Sequence, residues 1–276
     1  MRWAPPCCTR AGTWRWPARG LGGGHGALLA FGALLLAPAA LLTGSGLSTR
    51  ALPYVAVSAV LELAYFVVLA RAYRDGELGV IYPVARGSAP VLVLAAGGVG
   101  LGMGVGWIAA LGVALVAAGV LLLATRREVG RETRPGAEKV DQPRRDVLFG
   151  LAIGLVIAGY TLVDSEGLDH ADPLSYLFLV ATACAVAYCG GLLAAGQGGQ
   201  LKAALKPRAA LTAAASFGAY AMVLAALELA PAASVAAVRE SSVVLAALFA
   251  WLFLGEPRRL GAAMLVAIGV AAIALG

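Results

Sequence analysis

Charge is what this sequence lacks most. Asp, Glu, Lys and Arg together make up 13% of its 276 residues, while 61% are hydrophobic. A soluble domain carries about a quarter charged residues and needs them to coat its surface. The mean hydropathy of +0.85 excludes that class and points to a chain dissolved in lipid. Histidine is nearly absent: His25 and His170 lie far apart, so no histidine-based metal site can be assembled. Cysteine is scarce too. Cys7 and Cys8 sit in the N-terminal segment, Cys184 and Cys189 in an apolar run, and their spacing fits neither a zinc site nor a disulfide framework. No cofactor and no metal are expected. There is no HExxH, no Walker motif and no pair of carboxylates on one helix, which argues against a membrane-embedded enzyme. The short alternating segments of an outer-membrane barrel are missing as well.

What is present are long runs rich in Ala, Leu, Val and Gly. Nine apolar segments fall at about 26–44, 51–73, 79–98, 104–124, 146–163, 174–195, 208–229, 233–254 and 257–275. A bilayer core takes about 20 apolar residues per helix, so the expectation is an all-α integral membrane protein of about nine transmembrane helices. Residues 1–25 carry Arg, Trp and Pro without an apolar run and read as a disordered basic head. The stretch "TRREVGRETRPGAEKVDQPRRD" (125–146) reads as a charged linker between residues 26–124 and 147–276. The excess of basic residues, +6 overall, sits in short loops and so reports topology, with no nucleic-acid partner implied. The head, the loops at 71–78, 196–208 and 255–259, and the linker are basic. The loops near 99–103, 164–173 and 230–232 have no Lys or Arg. The positive-inside rule puts the head and linker in the cytoplasm and the C-terminus outside.

The two parts resemble each other. With Arg86 placed over Arg239, "VARGSAPVLVLAAGGVGLGM" lies over "AVRESSVVLAALFAWLFLGE". Upstream, "YFVVLARAY" (65–73) lies over "YAMVLAALE" (220–228). Downstream, "LGVALVAAGV" (111–120) lies over "LGAAMLVAIGV" (260–270), with one residue inserted. An odd number of helices per repeat would invert the halves in the membrane, an arrangement typical of secondary transporters.

Charges at membrane depth cost about 2.5–3.5 kcal/mol each on insertion scales and therefore mark candidates for a pathway. Glu62, Arg86, Arg239 and Glu240 are such candidates, with Tyr82, Ser88, Tyr160, Asp164 and Tyr220 beside them. Pro83 and Pro90 are expected to break the helix around Arg86 by removing backbone donors. Two readings of the arginines stay open. They could bind a substrate group, or they could be structural pins, with Arg239 neutralised by Glu240 or Glu228. Ser242, Ala246 and Ala250 form a small-residue stripe suited to close helix packing.

With these residues in view, the chain resembles the drug/metabolite transporter superfamily in its EamA-like branch. "ARAYRDGELGVIYPVARGSAPVL" (70–92) and "VRESSVVLAALFAWLFLGEP" (238–257) carry the resemblance, supported by "GYTLVDSEG" (159–167) and "DPLSYLFL" (172–179). It covers residues from about 26 to the end. It implies ten helices as two inverted five-helix repeats around a central cavity, of which the first helix has no counterpart here. The "LGE" at Leu254 to Glu256 has only "LGM" at Leu101 to Met103 as its partner. Family members are usually drawn with both termini cytoplasmic, whereas the Lys/Arg count of this chain argues the reverse. The implied function is a permease or exporter of a small metabolite in a bacterial inner membrane, working by alternating access. A homodimer stays open. The alternatives are a non-transporting membrane remnant and a helper subunit.

Overall fold

The computed structural model describes residues 21–43, 48–75, 78–100, 106–125, 143–242, 245, 252 and 260–275. The basic head up to residue 20, most of the linker, Cys7, Cys8, Ala246, Ala250 and both "LGE"-type ends lie outside them. Among the described residues the regular structure is helical. α1 is Leu21–Thr43, α2 Leu52–Asp75, α3 Leu78–Leu94 and α4 Trp107–Thr125. α5 is Pro143–Gly167, α6 Pro173–Ala194, α7 Gly198–Ala204 and α8 Pro207–Leu227. α9 is Ala232–Arg239 and α10 Leu260–Leu275.

Among the described residues four stretches are long and apolar enough to cross a membrane: Thr49–Leu69, Arg145–His170, Pro173–Ala194 and Pro207–Leu227. Gly23–Pro38, Val84–Gly97, Trp107–Leu122 and Met264–Ile273 are shorter apolar helices. Local signals explain several boundaries. Asp172 caps α6 by accepting from the Ser175 N–H at 3.0 Å, and Pro173 fills the first helical position, where no N–H is needed. Pro207 starts α8 in the same way.

Three expectations are corrected here. Pro83 and Pro90 do not break their helix: α3 runs through both. Pro90 removes the N–H that would bond the Arg86 carbonyl four residues back, but α3 is held on its flanks by α4, α5 and α9, which keeps the helix intact. The widening comes later, in π-type turns over Ala95–Gly100. The loop at 196–208 contains the short helix α7, which packs on α1. The eighth apolar segment is not one helix: α9 stops at Arg239, the chain turns at Glu240, and helix resumes at Ser241.

Close approaches between helices set their directions. A Cβ on Gly150 would lie 2.7 Å from the Val84 side chain and 2.9 Å from the Ile81 carbonyl, and Gly154 faces Ala85 and Ser88, so α3 and α5 run parallel. Gly112 faces Gly269 and Ile273, while Gly269 faces Gly112 and Val116, so α4 and α10 are antiparallel. Only glycine permits that crossing, because a Cβ on either residue would come within 2.6–2.7 Å of the other's carbonyl oxygen. The Ser48 N–H bonds the His170 carbonyl at 3.0 Å, joining the α1–α2 and α5–α6 connections at one end of the bundle. The start of α1 meets the α7 segment, Gly23 against Gln200, at the other end of α6.

Candidate functional site

Two polar centres sit inside this apolar frame. The first is built on Asp164 of α5, which is almost completely buried. Ser58 of α2 donates to its Oδ1 at 2.5 Å, and the Tyr176 hydroxyl of α6 donates to the same oxygen at 3.0 Å. The Tyr220 hydroxyl of α8 donates to Oδ2. Hydrogen bonds to an ionised acceptor are the strong ones, and here three helices supply them to one carboxylate. Ser58 and Glu62 lie one turn apart on the same face of α2. Glu62 meets Cys184 of α6, whose thiol lies 3.8 Å from Oε2 and 3.5 Å from the Ala59 carbonyl.

The second centre is built on Glu240, which is sealed from solvent. Arg86 of α3 donates from a terminal nitrogen to Glu240 Oε1 at 3.1 Å. Arg239 of α9 places Nε 3.8 Å from the same oxygen. The Arg86 and Arg239 side chains keep 27% and 17% of their surface exposed, Glu240 none. The guanidinium of Arg86 also lies over the half-exposed Tyr82 ring, 5.3 Å from its centroid, a favourable cation–π distance. The Glu240 N–H bonds the Ala237 carbonyl at 3.0 Å, which tightens the last turn of α9 and turns the chain at this point.

Tyrosines connect the centres. Tyr160 stands edge-on to Tyr65 at 6.4 Å and to Tyr220 at 6.1 Å, both with planes 80° apart. Tyr65 and Tyr220 are the residues that the internal alignment pairs. Arg239 is in electrostatic contact with Tyr160, Tyr220 and Glu240, and it acts on Asp164 as well.

Most of the sequence candidates therefore converge. Arg86, Arg239, Glu240 and Tyr82 form one centre; Asp164 and Tyr220 form the other, with Glu62 and Tyr160 adjoining. Ser88 stands apart: its hydroxyl bonds the Ala85 carbonyl at 3.3 Å and packs at the α3–α5 contact against Gly154. Glu228 is the exposed cap of α8. Sequence reasoning missed Ser58, Tyr176 and Cys184. The Ser58-to-Glu62 spacing was the available signal for the first, and Tyr176 lay inside the quoted "DPLSYLFL".

Among the described residues no group of three or more His, Cys, Asp or Glu side chains is placed to hold a metal ion. No curated protein matches the chain. Residues 144–275 match the model of the EamA-like transporter family. The segment from α5 through α10 thus carries the EamA-like transporter domain of the drug/metabolite transporter superfamily.

Proposed function

We propose that the protein is a secondary transporter that moves a small metabolite bearing an acid group across a bacterial inner membrane by alternating access. One observation carries the reading: Arg86 and Arg239, the residues paired by the internal alignment, reach one buried carboxylate from the two parts of the chain. α3 begins at Leu78 and places Arg86 eight residues in; α9 begins at Ala232 and places Arg239 seven residues in. At about 1.5 Å per residue, each guanidinium starts about 10–12 Å from its helix start. Inverted halves would bring those starts to opposite membrane surfaces, leaving the arginines to meet near the midplane, where transporters of this architecture bind substrate. The antiparallel α4–α10 pair and the matched placement of Tyr65 and Tyr220 about Tyr160 support such an inversion. The turn at Glu240 supports it further, since interrupted helices inside a membrane are tolerated where they line a cavity or pack on protein.

A guanidinium is a planar fork matched to carboxylate and phosphate, so two of them select an acid group. Rocking of the halves would expose the pair to each side in turn. The test is metabolite profiling of cells lacking the protein, complemented with the wild-type chain, Arg86→Ala or Arg239→Ala. Restoration of one class of acidic metabolite by the wild-type chain and by neither variant is expected. Full restoration by both variants would refute the charge-binding role.

A further inference from the structure

The two buried carboxylates differ in how completely they are satisfied. Both oxygens of Asp164 accept hydroxyl donors. Glu240 is satisfied at one oxygen only. Among the described residues its buried Oε2 has no hydrogen-bond partner, and neither has the buried Nε of Arg239 beside it. A buried acceptor and a buried donor, both unmet in one centre, are rare in folded proteins and point to a partner that comes and goes. The charges agree: two guanidiniums face one carboxylate, so the centre carries a surplus positive charge. The arginines are also the accessible members. An exposed guanidinium at membrane depth belongs next to water or a polar ligand, because lipid would penalise it.

We infer that Glu240 is a built-in competitor for the Arg86–Arg239 pair, which a substrate acid group displaces, and that the displaced Glu240 takes up one proton. The inference rests on the reading that the arginines bind an acid group. An incoming carboxylate reaches the exposed faces of the guanidiniums. Glu240, sealed in place, then loses its counter-charges. A lone ionised carboxylate in an apolar interior is far costlier than a neutral one, so it binds a proton. The groups facing this centre are Arg86 and Tyr82 from α3, Arg239 from α9 and Tyr65 from α2, which acts on Arg86. Through Arg239 they include Tyr160 and Asp164 from α5 and Tyr220 from α8, with Glu62 of α2 beyond Tyr160. α4 and α10 present the apolar cluster of Val113, Val116, Val120 and Val266 against Ala237 of α9. None of these supplies a second cation for Glu240 once the two arginines are taken. Anion binding and proton binding are then coupled one to one, and the protein moves a proton together with its acidic substrate.

The sign follows from linkage. A reaction that takes up one proton weakens as pH rises, with the apparent Kd increasing about tenfold per pH unit wherever the uptake is complete. Isothermal titration calorimetry on the purified full chain in detergent micelles tests this. Benzoate and L-lactate serve as probes, because both stay fully ionised from about pH 5.5 to 8. Running each titration in two buffers of different ionisation enthalpy counts protons. For the wild-type chain the expected result is close to one proton taken up per anion, with the Kd rising with pH. For Glu240→Gln, which keeps the shape without the charge, the count falls to zero. Its Kd becomes independent of pH and at least tenfold lower at about pH 7.5. Arg86→Ala should lose binding. Wild-type binding without proton uptake would overturn the inference and leave the acid-group reading standing, and this arm needs no variant to fold. Proton uptake that persists in Glu240→Gln would also overturn it. No binding of either probe by the wild-type chain or by Glu240→Gln would overturn both the inference and the reading beneath it.

Discussion

Replacing Arg86 by methionine should destabilise the protein more than any comparable change on its helix, and replacing its partner as well should reverse most of that loss. Among the described residues Arg86 supplies the one side-chain hydrogen bond to the Glu240 carboxylate, at 3.1 Å, while Arg239 stands at 3.8 Å, beyond hydrogen-bond distance. Removing one member of a buried pair costs about 3–5 kcal/mol, because the other is left charged in an apolar surround. The value belongs at the low end here: Arg86 is partly exposed and Arg239 still offers a cation, so we predict about 3 kcal/mol, roughly a hundredfold in the unfolding constant. Exchanging both members for apolar residues of similar size is close to neutral in general, so Arg86→Met/Glu240→Leu should lie within about 1–1.5 kcal/mol of the wild type, the excess reflecting the stranded Arg239. The cycle should therefore show a coupling of about 2 kcal/mol or more between positions 86 and 240. Reversible unfolding in mixed detergent micelles, followed by circular dichroism, measures all four chains. Single losses that simply add to within about 0.5 kcal/mol would refute the view that these residues form one centre.

Two further perturbations probe the rest of the frame. Tyr220→Phe removes the hydroxyl that bonds Asp164 Oδ2 while keeping the ring beside Tyr160, and should cost about 1.5–3 kcal/mol in the same unfolding assay; a loss below about 0.5 kcal/mol would show that the bond is not made. Gly112→Leu forces a side chain into the Gly269 carbonyl at the α4–α10 crossing and should destabilise by about 1–3 kcal/mol or more, whereas Gly190→Leu, where a Cβ meets nothing, should change stability by less than about 0.5 kcal/mol.

The helices were legible because lipid imposes a simple rule. Runs of apolar residues must be helical to satisfy their own backbone, and nearly every described helix falls within a run that could be marked from composition. Their ends were legible where chemistry marks them, as at Asp172-Pro173 before α6. They were less so where it does not: α1 begins at Leu21, inside a glycine-rich stretch that reads as part of the head. α7 was missed because seven residues are too few to show a period, and its helicity depends on packing against α1.

The candidate site shows a sharper division between what one element reveals and what several must reveal together. Arg86, Arg239, Glu62 and Glu240 could be chosen singly, since a charge in an apolar run is conspicuous wherever it faces. Whether an arginine pins the structure or awaits a ligand could not be chosen that way. The Arg86–Glu240 bond joins positions 154 residues apart, and the Ser58–Asp164 bond joins positions 106 apart. Such pairings depend on the register of α2, α3, α5 and α9, and a shift of one residue, about 100° of helix rotation, would turn any of these side chains away. Ser58 and Tyr176 went unseen for that reason, because a hydroxyl in an apolar run is unremarkable until a carboxylate is found within reach. The pinning role and the proposed binding role are compatible: one carboxylate oxygen holds the two arginines together, and the other has no partner among the described residues. A centre built only to hold α3 against α9 would have closed both. On the proposed reading the unmet oxygen is the feature that separates a structural ion pair from a binding site, and it appears only once three side chains from two helices and a turn are placed against one another.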